Sequence, residues 1–363
     1  MDIRFDLRWC CGSDEEVSPE LFRLLQAIDR SGSLRAAASD CRVSYRHAWG
    51  VLQKWEQKLA HPLVNLERGR GAGLTELGKL FLWEQKRIHA RLEPELASLA
   101  SELSSAANAL LKAKEQSILH VFASHGLGVA MLRDMALTSG LLTLDLQFRG
   151  SLDSVRLLKN GRCDLAGFHL PEGRLGGRLL RRFRPFLNPR TDTLIYALRR
   201  RQGIMTAPGN PFKIGSLTDL TIKSVRFINR QRNSGTRITL DLLLEEARID
   251  PERINGYESE EFTHMAIAAL VASGAADCAF GIEAAANRFG LTFIPCNWEN
   301  YWFAVAKEKL DTPLLSNFLA LLRSAEFHQN IAGLPGYEAA RAGEVVTLDA
   351  ELKALLSSST GTG

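Results

Sequence analysis

Apolar residues fall at helical spacing through residues 19–30, PELFRLLQAIDR, and Pro19 stands where the first turn of a helix tolerates it. Gly32 predicts the end of that helix. Ser33 then caps a short one, LRAAASDC, whose alanines permit close approach to a neighbour. After a turn at Arg42 and Val43, Ser44 starts a third helix over residues 45–60, in which Ala48, Leu52, Trp55 and Leu59 form one continuous apolar face. The opposite face carries Arg46, His47, Gly50, Gln53 and Lys54, with Ser44 and Tyr45 at its leading end. A small-residue helix supporting a second helix with a free polar face is the pattern of a helix-turn-helix, whose second member enters a DNA major groove.

The next stretch, PLVNLERGRGAGLTELG, predicts a short strand, a glycine-rich turn bearing Arg68 and Arg70, and a helix capped by Thr75. A basic ribbon directly after a reading helix suits a wing on backbone phosphate. Net charge over the 363 residues is only +4, so any affinity for nucleic acid has to be local. It is: between residues 30 and 75, eight Arg and Lys side chains face Asp40, Glu56 and Glu67. From Thr75 a long helical run reaches Lys114, interrupted only by Pro94, with Leu80, Trp83, Ile88, Leu92, Leu96, Leu99 and Leu103 as an apolar stripe. A protruding stripe of this kind finds its most economical partner in a second copy of itself, which predicts a homodimer or higher homo-oligomer.

From Ser117 the pattern becomes strands alternating with helices, the signature of an α/β fold with a parallel sheet. Strands are expected at SILHVFASHG, LTLDLQFRG, CDLAGFHL and VRFIN, with TDTLIYALRR as a crossing strand between two series and therefore between two lobes. Ligands of such sheets lie outside the carboxyl ends of the strands, where helix N-termini converge. The residues at those ends are Ser124, His125, Ser151, His169, Asn233, Ser234, Gly235, Thr236, Thr263 and Glu283. Around the Ser-Gly-Thr helix start stand Arg230, Arg232 and Arg237. The open N–H groups and partial positive charge of a helix N-terminus together with arginines predict an anion; which arginine points inward is left open. A capped helix with its arginines in water is the plainer alternative.

The chain expected from this pattern has an all-α winged helix-turn-helix over residues 1–83, a linker or dimerisation helix over 84–116, a two-lobed α/β ligand domain over 117–350 and a flexible tail over 351–363. Hydrophobic residues make up 45% and charged residues 24%, an ordinary globular balance. The N-terminus lacks the apolar run of a secretory signal, and no stretch is long enough to span a bilayer, so the expectation is a cytoplasmic protein without a membrane. Six cysteines show no CxxC or Cys/His ligand spacing and read as buried or idle thiols. No metal, no cofactor and no catalytic residues are expected: the sequence lacks a nucleophile elbow, metal-spaced His/Glu pairs and a phosphate loop. An enzyme built on Ser124, His125, His169, Glu261 and Glu283 is the alternative.

The stretch GSLRAAASDCRVSYRHAWGVLQKWEQKLAHPLVNLERGRGAGLTELGKLF resembles the winged helix-turn-helix of the ModE family of molybdate-responsive regulators, and more distantly that of LysR-type regulators. SYRHAW and the glycine-rich turn before LTELG are the more ModE-like features. The segments QGIMTAPGNPFKIGSLTDL, RFINRQRNSGTRITLDLLLEEARI and EEFTHMAIAALVASGAADCAFGIEAAA resemble the periplasmic-binding-protein-like, type II domain that also occurs beside molybdopterin-biosynthesis modules. The NRQRNSGTR turn departs from typical LysR effector domains, and nothing resembles the small oxyanion-binding modules ModE regulators carry. Together the resemblances imply a dimeric regulator that reads a pseudo-palindromic site in double-stranded DNA. They imply a small anionic ligand, molybdate, tungstate or a related molybdenum-cofactor metabolite, with an organic carboxylate as the alternative.

Overall fold

The computed structural model describes residues 3–12, 15–67, 71–110, 118–140, 142–232 and 234–357. Contacts divide the chain into two compact units, residues 6–90 and residues 91–363 with the first five. The first unit opens with a small ribbon, β1 (Cys10–Cys11) and β2 (Glu15–Glu16), followed by α1 (Pro19–Ser31), α2 (Leu34–Asp40) and α3 (Tyr45–Leu59). A hairpin of β3 (Val64–Glu67) and β4 (Gly71–Leu74) leads into α4 (Glu76–Leu110), which runs on into the second unit. The caps expected at Ser33, Ser44 and Thr75 accept the N–H of Ala36, His47 and Gly78, and the Ser18 hydroxyl likewise accepts that of Glu20 at the start of α1. The turn between α2 and α3 is tight enough to hold Arg42 at φ 56°.

Apolar faces of these helices meet in one core. Leu21, Leu24, Leu25 and Ile28 of α1 pack with Ala37 and Ala38 of α2 and with Ala48, Leu52 and Trp55 of α3, all buried. Glu56 does not serve as surface counter-charge: its Oε1 accepts the N–H groups of Leu63 and Val64 at 2.8 and 3.0 Å, fixing the start of the hairpin. At the other end of the hairpin Gly71 sits at φ +99°, and a Cβ there would lie 2.4 Å from the carbonyl oxygen of Gly32. Only glycine lets the ribbon close on the turn after α1.

The second unit is built on one mixed sheet. Its elements run β5 (Ile118–Ala123), α5 (Leu127–Ser139), β6 (Thr143–Phe148), α6 (Ser151–Lys159), β7 (Leu165–Pro171), α7 (Gly173–Phe183), β8 (Asp192–Thr206), β9 (Phe227–Arg230), α8 (Gly235–Glu246), β10 (Glu260–Glu261) and α9 (His264–Ala272). Then follow β11 (Cys278–Ile282), α10 (Glu283–Arg288), β12 (Thr292–Ala306), α11 (Pro313–Leu322), α12 (Ala325–Ala332), β13 (Tyr337–Glu338), β14 (Val345–Thr347) and α13 (Leu348–Ser357). Strand order is β10-β9-β11-β8-β12-β7-β5-β6, with β13 and β14 also on β8. The β5–β6 and β5–β7 pairs are parallel, as are β9–β10 and β9–β11. Between these two series run β8 and β12, 15 residues each and antiparallel to one another.

The expected crossing strand is thus longer than TDTLIYALRR and has a returning partner, which makes the sheet mixed rather than parallel. Successive residues of β12 serve different cores: Tyr301 and Phe303 pack with Phe318 and Val121, whereas Trp302 packs with Phe168 and Phe183. The tail expected to be flexible from residue 351 is instead helical through Ser357. Glu351 and Leu355 of α13 are buried, Leu355 in the cluster that holds Phe168 and Trp302. Among the described residues no helix is long and apolar enough to cross a membrane.

Candidate functional site

On the first unit, α3 leads with a polar, exposed surface. Tyr45 is 49% exposed, and Arg46 and His47 are exposed beside it. The side chains differ in availability. His47 Nε2 lies 3.0 Å from Glu20 Oε1 of α1, Lys54 Nζ lies 2.7 Å from Glu15 Oε1, and Lys58 pairs with the same carboxylate. Glu15 and Glu20 are remote in sequence from the basic stretch, so the local charge balance is less one-sided than composition over residues 30–75 implies. Ser44 spends its hydroxyl on the helix cap. The expected phosphate contacts Arg68 and Arg70 lie outside the described residues.

The second unit holds a cleft of about 540 Å³. Three helix starts line it, α6 at Ser151, α8 at Ser234–Gly235–Thr236, and α9 at Thr263 and His264, together with Ser124 and His125 from the turn before α5. Neither α5 nor α6 has a side-chain cap; Ser234 and Thr263 cap their own helices by accepting from Arg237 N and Ala266 N. Of the residues expected here, Ser124, His125, Ser151, His169, Arg230, Ser234, Gly235, Thr236 and Thr263 line the cleft. Asn233 is outside the described residues.

The open question about the three arginines has one answer. Arg230 is the last residue of β9, not part of the following turn, and it is 7% exposed on the cleft floor. Its Nη2 donates to the Phe262 carbonyl at 2.7 Å and its Nε to Gln231 Oε1 at 3.2 Å. Burial, and then the neighbouring Arg200, depress its pKa to about 9. Arg232 is 71% exposed and pairs with Glu258 and Glu260. Arg237 is buried against Asp241 at 3.0 Å with its guanidinium 4.0 Å from the Tyr257 ring, and with Arg232 it borders an adjoining cavity that shares Gly150, Ser151 and Gly235 with the cleft. Glu283 also falls outside the cleft and pairs with Arg201 at 3.5 Å. Arg232, Arg237 and Glu283 thus stand outside this lining: a residue near a helix start in sequence faces the cleft only if its strand or helix turns it that way.

Two floor residues were not expected. Arg200, 2% exposed, donates from Nε to Glu299 Oε1 at 2.5 Å, and it comes from the middle of β8, where no turn or helix start marks it. His264 is the first residue of α9 and was hidden behind its cap, Thr263. The helix α4 supplies Arg91, Leu92, Pro94, Glu95, Ser98, Leu99 and Glu102 at the mouth, and their helical stripe reads in sequence as a dimer seam.

Three histidines share the floor, and all are held neutral. Burial, followed by Arg230 and Arg200, pushes His125 down to about 3, and burial with the same arginines holds His169 and His264 well below the usual imidazole range. His169 Nδ1 lies 2.9 Å from Ser124 Oγ, and His264 Nε2 lies 3.4 Å from Thr236 Oγ1, which also accepts from Gln202 Nε2 at 3.2 Å. Their remaining nitrogens, His169 Nε2 and His264 Nδ1, are buried without a partner, and so is Ser151 Oγ. Buried polar atoms are normally paired, so three of them in the lining that also holds Arg230 mark hydrogen-bonding capacity the protein itself does not use. No three His, Cys, Asp or Glu side chains among the described residues are placed to hold a metal ion.

Comparison with known proteins bears on both units. Residues 133–323 match the PBP superfamily domain, and residues 19–79 match the bacterial regulatory helix-turn-helix protein, lysR family. The chain is a LysR-type helix-turn-helix fused to a PBP-superfamily domain. The PBP-like match runs from within α5 through α11, including most of the cleft floor. Among curated relatives, the uncharacterized protein YvgK of Bacillus subtilis (strain 168) is 32% identical over 200 residues, which are 55% of this chain and 64% of YvgK. The chain therefore spans just under two thirds of that relative's length. An uncharacterized protein in the ferredoxin 2Fe-2S gene 5' region of Clostridium pasteurianum is 35% identical over 30% of this chain and 98% of its own length. The molybdenum-pterin-binding protein MopB of Rhodobacter capsulatus is 34% identical over 24% of this chain and 34% of its own. Among solved structures, CbnR, a LysR family transcriptional regulator, aligns at 19% identity and TM-score 0.40 over 84% of this chain and 99% of that one.

Proposed function

We propose that the chain is a ligand-responsive transcriptional regulator: α3 reads double-stranded DNA at a pseudo-palindromic site, the PBP-like cleft binds a small anion, and the working species is a homodimer. The observation that carries the reading is the presence in one chain of a lysR-family reading helix and a cleft whose floor holds a buried guanidinium among unpartnered polar atoms. Molybdate, tungstate or a related molybdenum-cofactor metabolite is the ligand chemistry we favour, supported by the name of the MopB relative and by the cationic floor. Closure of two lobes on the anion would supply the differential affinity that a ligand needs to shift DNA binding. Leu103 and Leu110 of α4, 47% and 84% exposed, extend the apolar stripe and offer the seam for a second copy.

The hydrolytic alternative has its best case in Ser124 and His169. Their contact has the length of a nucleophile–base pair, but burial and two guanidinium groups disfavour an imidazolium at His169, and a general base has to hold the proton it takes. Binding, not turnover, is the use these groups favour. Calorimetry with molybdate, tungstate, sulfate and a set of carboxylates, followed by mobility shifts on operator DNA with and without the best of them, tests the whole reading. Binding of one anion with a change in DNA affinity is the expected result; a chain that ignores DNA in every condition sinks it.

A further inference from the structure

The mouth of the cleft has a wall that does not belong to either strand series. Residues 91–102 of α4 lie across it and are held to both sides. Ser98 Oγ accepts the Phe148 N–H at 2.8 Å, and Ser101 Oγ donates to Asp145 Oδ1 at 2.8 Å, which ties the helix to β6. Arg91 reaches the other side, with its Nε 3.7 Å from Glu261 Oε1 and its guanidinium 4.3 Å from the Phe262 ring. Between these anchors Leu92 and Leu99 face the cleft along with Phe148 and Phe262, and Leu99 is left 49% exposed although it stands in a cavity wall.

Charge and size then constrain the guest. Cationic groups and unpartnered polar atoms lie on the floor, at Arg200, Arg230, Ser151, His169 and His264, whereas the mouth is mixed in charge, with Glu95 and Glu102 beside Arg91 and Arg149. A cavity of about 540 Å³ is within the range of roughly 300–1,000 Å³ that encloses drug-sized molecules, far more than a tetrahedral oxyanion fills. Two leucines and two phenylalanines between the polar floor and the rim are surplus to a bare oxyanion and well matched to a flat ring.

We propose that α4 is part of the ligand site, and that the ligand is an oxyanion carried on a ring-sized group, the anion on the floor and the ring against Leu92, Leu99, Phe148 and Phe262. This rests on the reading of the cleft floor as an anion site, and it selects within that reading against a free oxyanion. The same helix continues to Glu76 in the DNA-reading unit, so a guest that touches it is felt by an element the two units share.

The test is isothermal calorimetry on the full chain with inorganic phosphate, molybdate, phenyl phosphate and guanosine monophosphate. At least one of the two ring-bearing esters should bind tenfold or more tighter than either inorganic ion. Leu92→Ala and Leu99→Ala, conservative changes on a helix surface, should each weaken that ester at least threefold and leave any inorganic phosphate binding alone. Inorganic ions that bind as tightly as both esters, ester binding indifferent to both leucine variants, or no binding by any of the four overturns the proposal. Failure here is distinguishable from failure of the regulator reading, because operator affinity measured on the same preparations does not depend on which anion fits.

Discussion

Arg200 and Arg230 are both buried on one cleft floor, yet they answer opposite physical demands. Arg200 has a carboxylate partner in Glu299, whereas Arg230 donates to a carbonyl and an amide. Removing Arg200 strands a buried carboxylate, so Arg200→Met should cost about 3–5 kcal/mol. Arg230→Met removes a cation that burial already disfavours; its apo melting temperature should equal or exceed that of the parent while anion-induced stabilisation disappears, both readable in one thermal-shift plate. The histidines make a second residue-scale prediction. Unfolded imidazoles take up protons near about 6.5, whereas folded His125 resists until about 3 and His169 and His264 also stay depressed. The unfolded chain therefore binds more protons in this window, and stability, complete above about pH 6.5, should fall as pH drops toward 3. His120, raised by its hydrogen bond to Asp145, and Glu299 and Glu351, both raised by burial, pull the other way, so the histidine share is the part that His125→Gln removes. The urea midpoint should drop between pH 7.5 and 5.0, and His125→Gln should flatten part of that drop; a midpoint that does not move contradicts the assignment.

At the scale of elements, the proposed function rests on α3 and α4. Ser44→Ala removes the cap of α3 and should cost about 1 kcal/mol by chemical denaturation. Among the leading residues of that helix, Arg46 is exposed while His47 and Lys54 are engaged by Glu20 and Glu15. Footprinting should therefore find base preference relaxed more by Arg46→Ala than by His47→Ala or Lys54→Ala. Leu92 and Leu99, on the stripe expected to form the seam, also line the cleft, so the seam is better probed farther along the helix. Glutamate at Leu103 and Leu110 should give monomers in sedimentation at micromolar concentration; a double variant that still sediments as a dimer would move the seam elsewhere.

The whole molecule behaves as two units sharing one long helix. Each has its own core, around Trp55 in one and around Tyr301, Trp302 and Phe280 in the other. Two cores predict two calorimetric transitions. A bound anion should move only the transition of residues 91–363, by about 2.7 kcal/mol of that unit's stability at a hundredfold excess over Kd, using molybdate or guanosine monophosphate as the probe. A single transition that shifts as a whole would mean that the units unfold as one.

Local signals were enough wherever physics is local. Caps at Ser33, Ser44 and Thr75, the apolar face through Trp55, and helix starts at Ser151, Ser234 and Thr263 depend on residues three or four apart, and the chain states them outright. The return strand β12 was missed because it pairs with β8 across roughly a hundred residues of sequence. That pairing brings Glu299 to Arg200 and makes a mid-strand arginine part of the floor. Arginines within eight positions of one another were separated only by the fold: strand geometry turned Arg230 to the cleft, and carboxylates from the stretch after α8 claimed Arg232. The role of α4 was beyond reach for a related reason. An amphipathic stripe says that a face is to be covered, and only the tertiary structure decides whether a second chain or a ligand cleft covers it, because burial rewards apolar area regardless of its source.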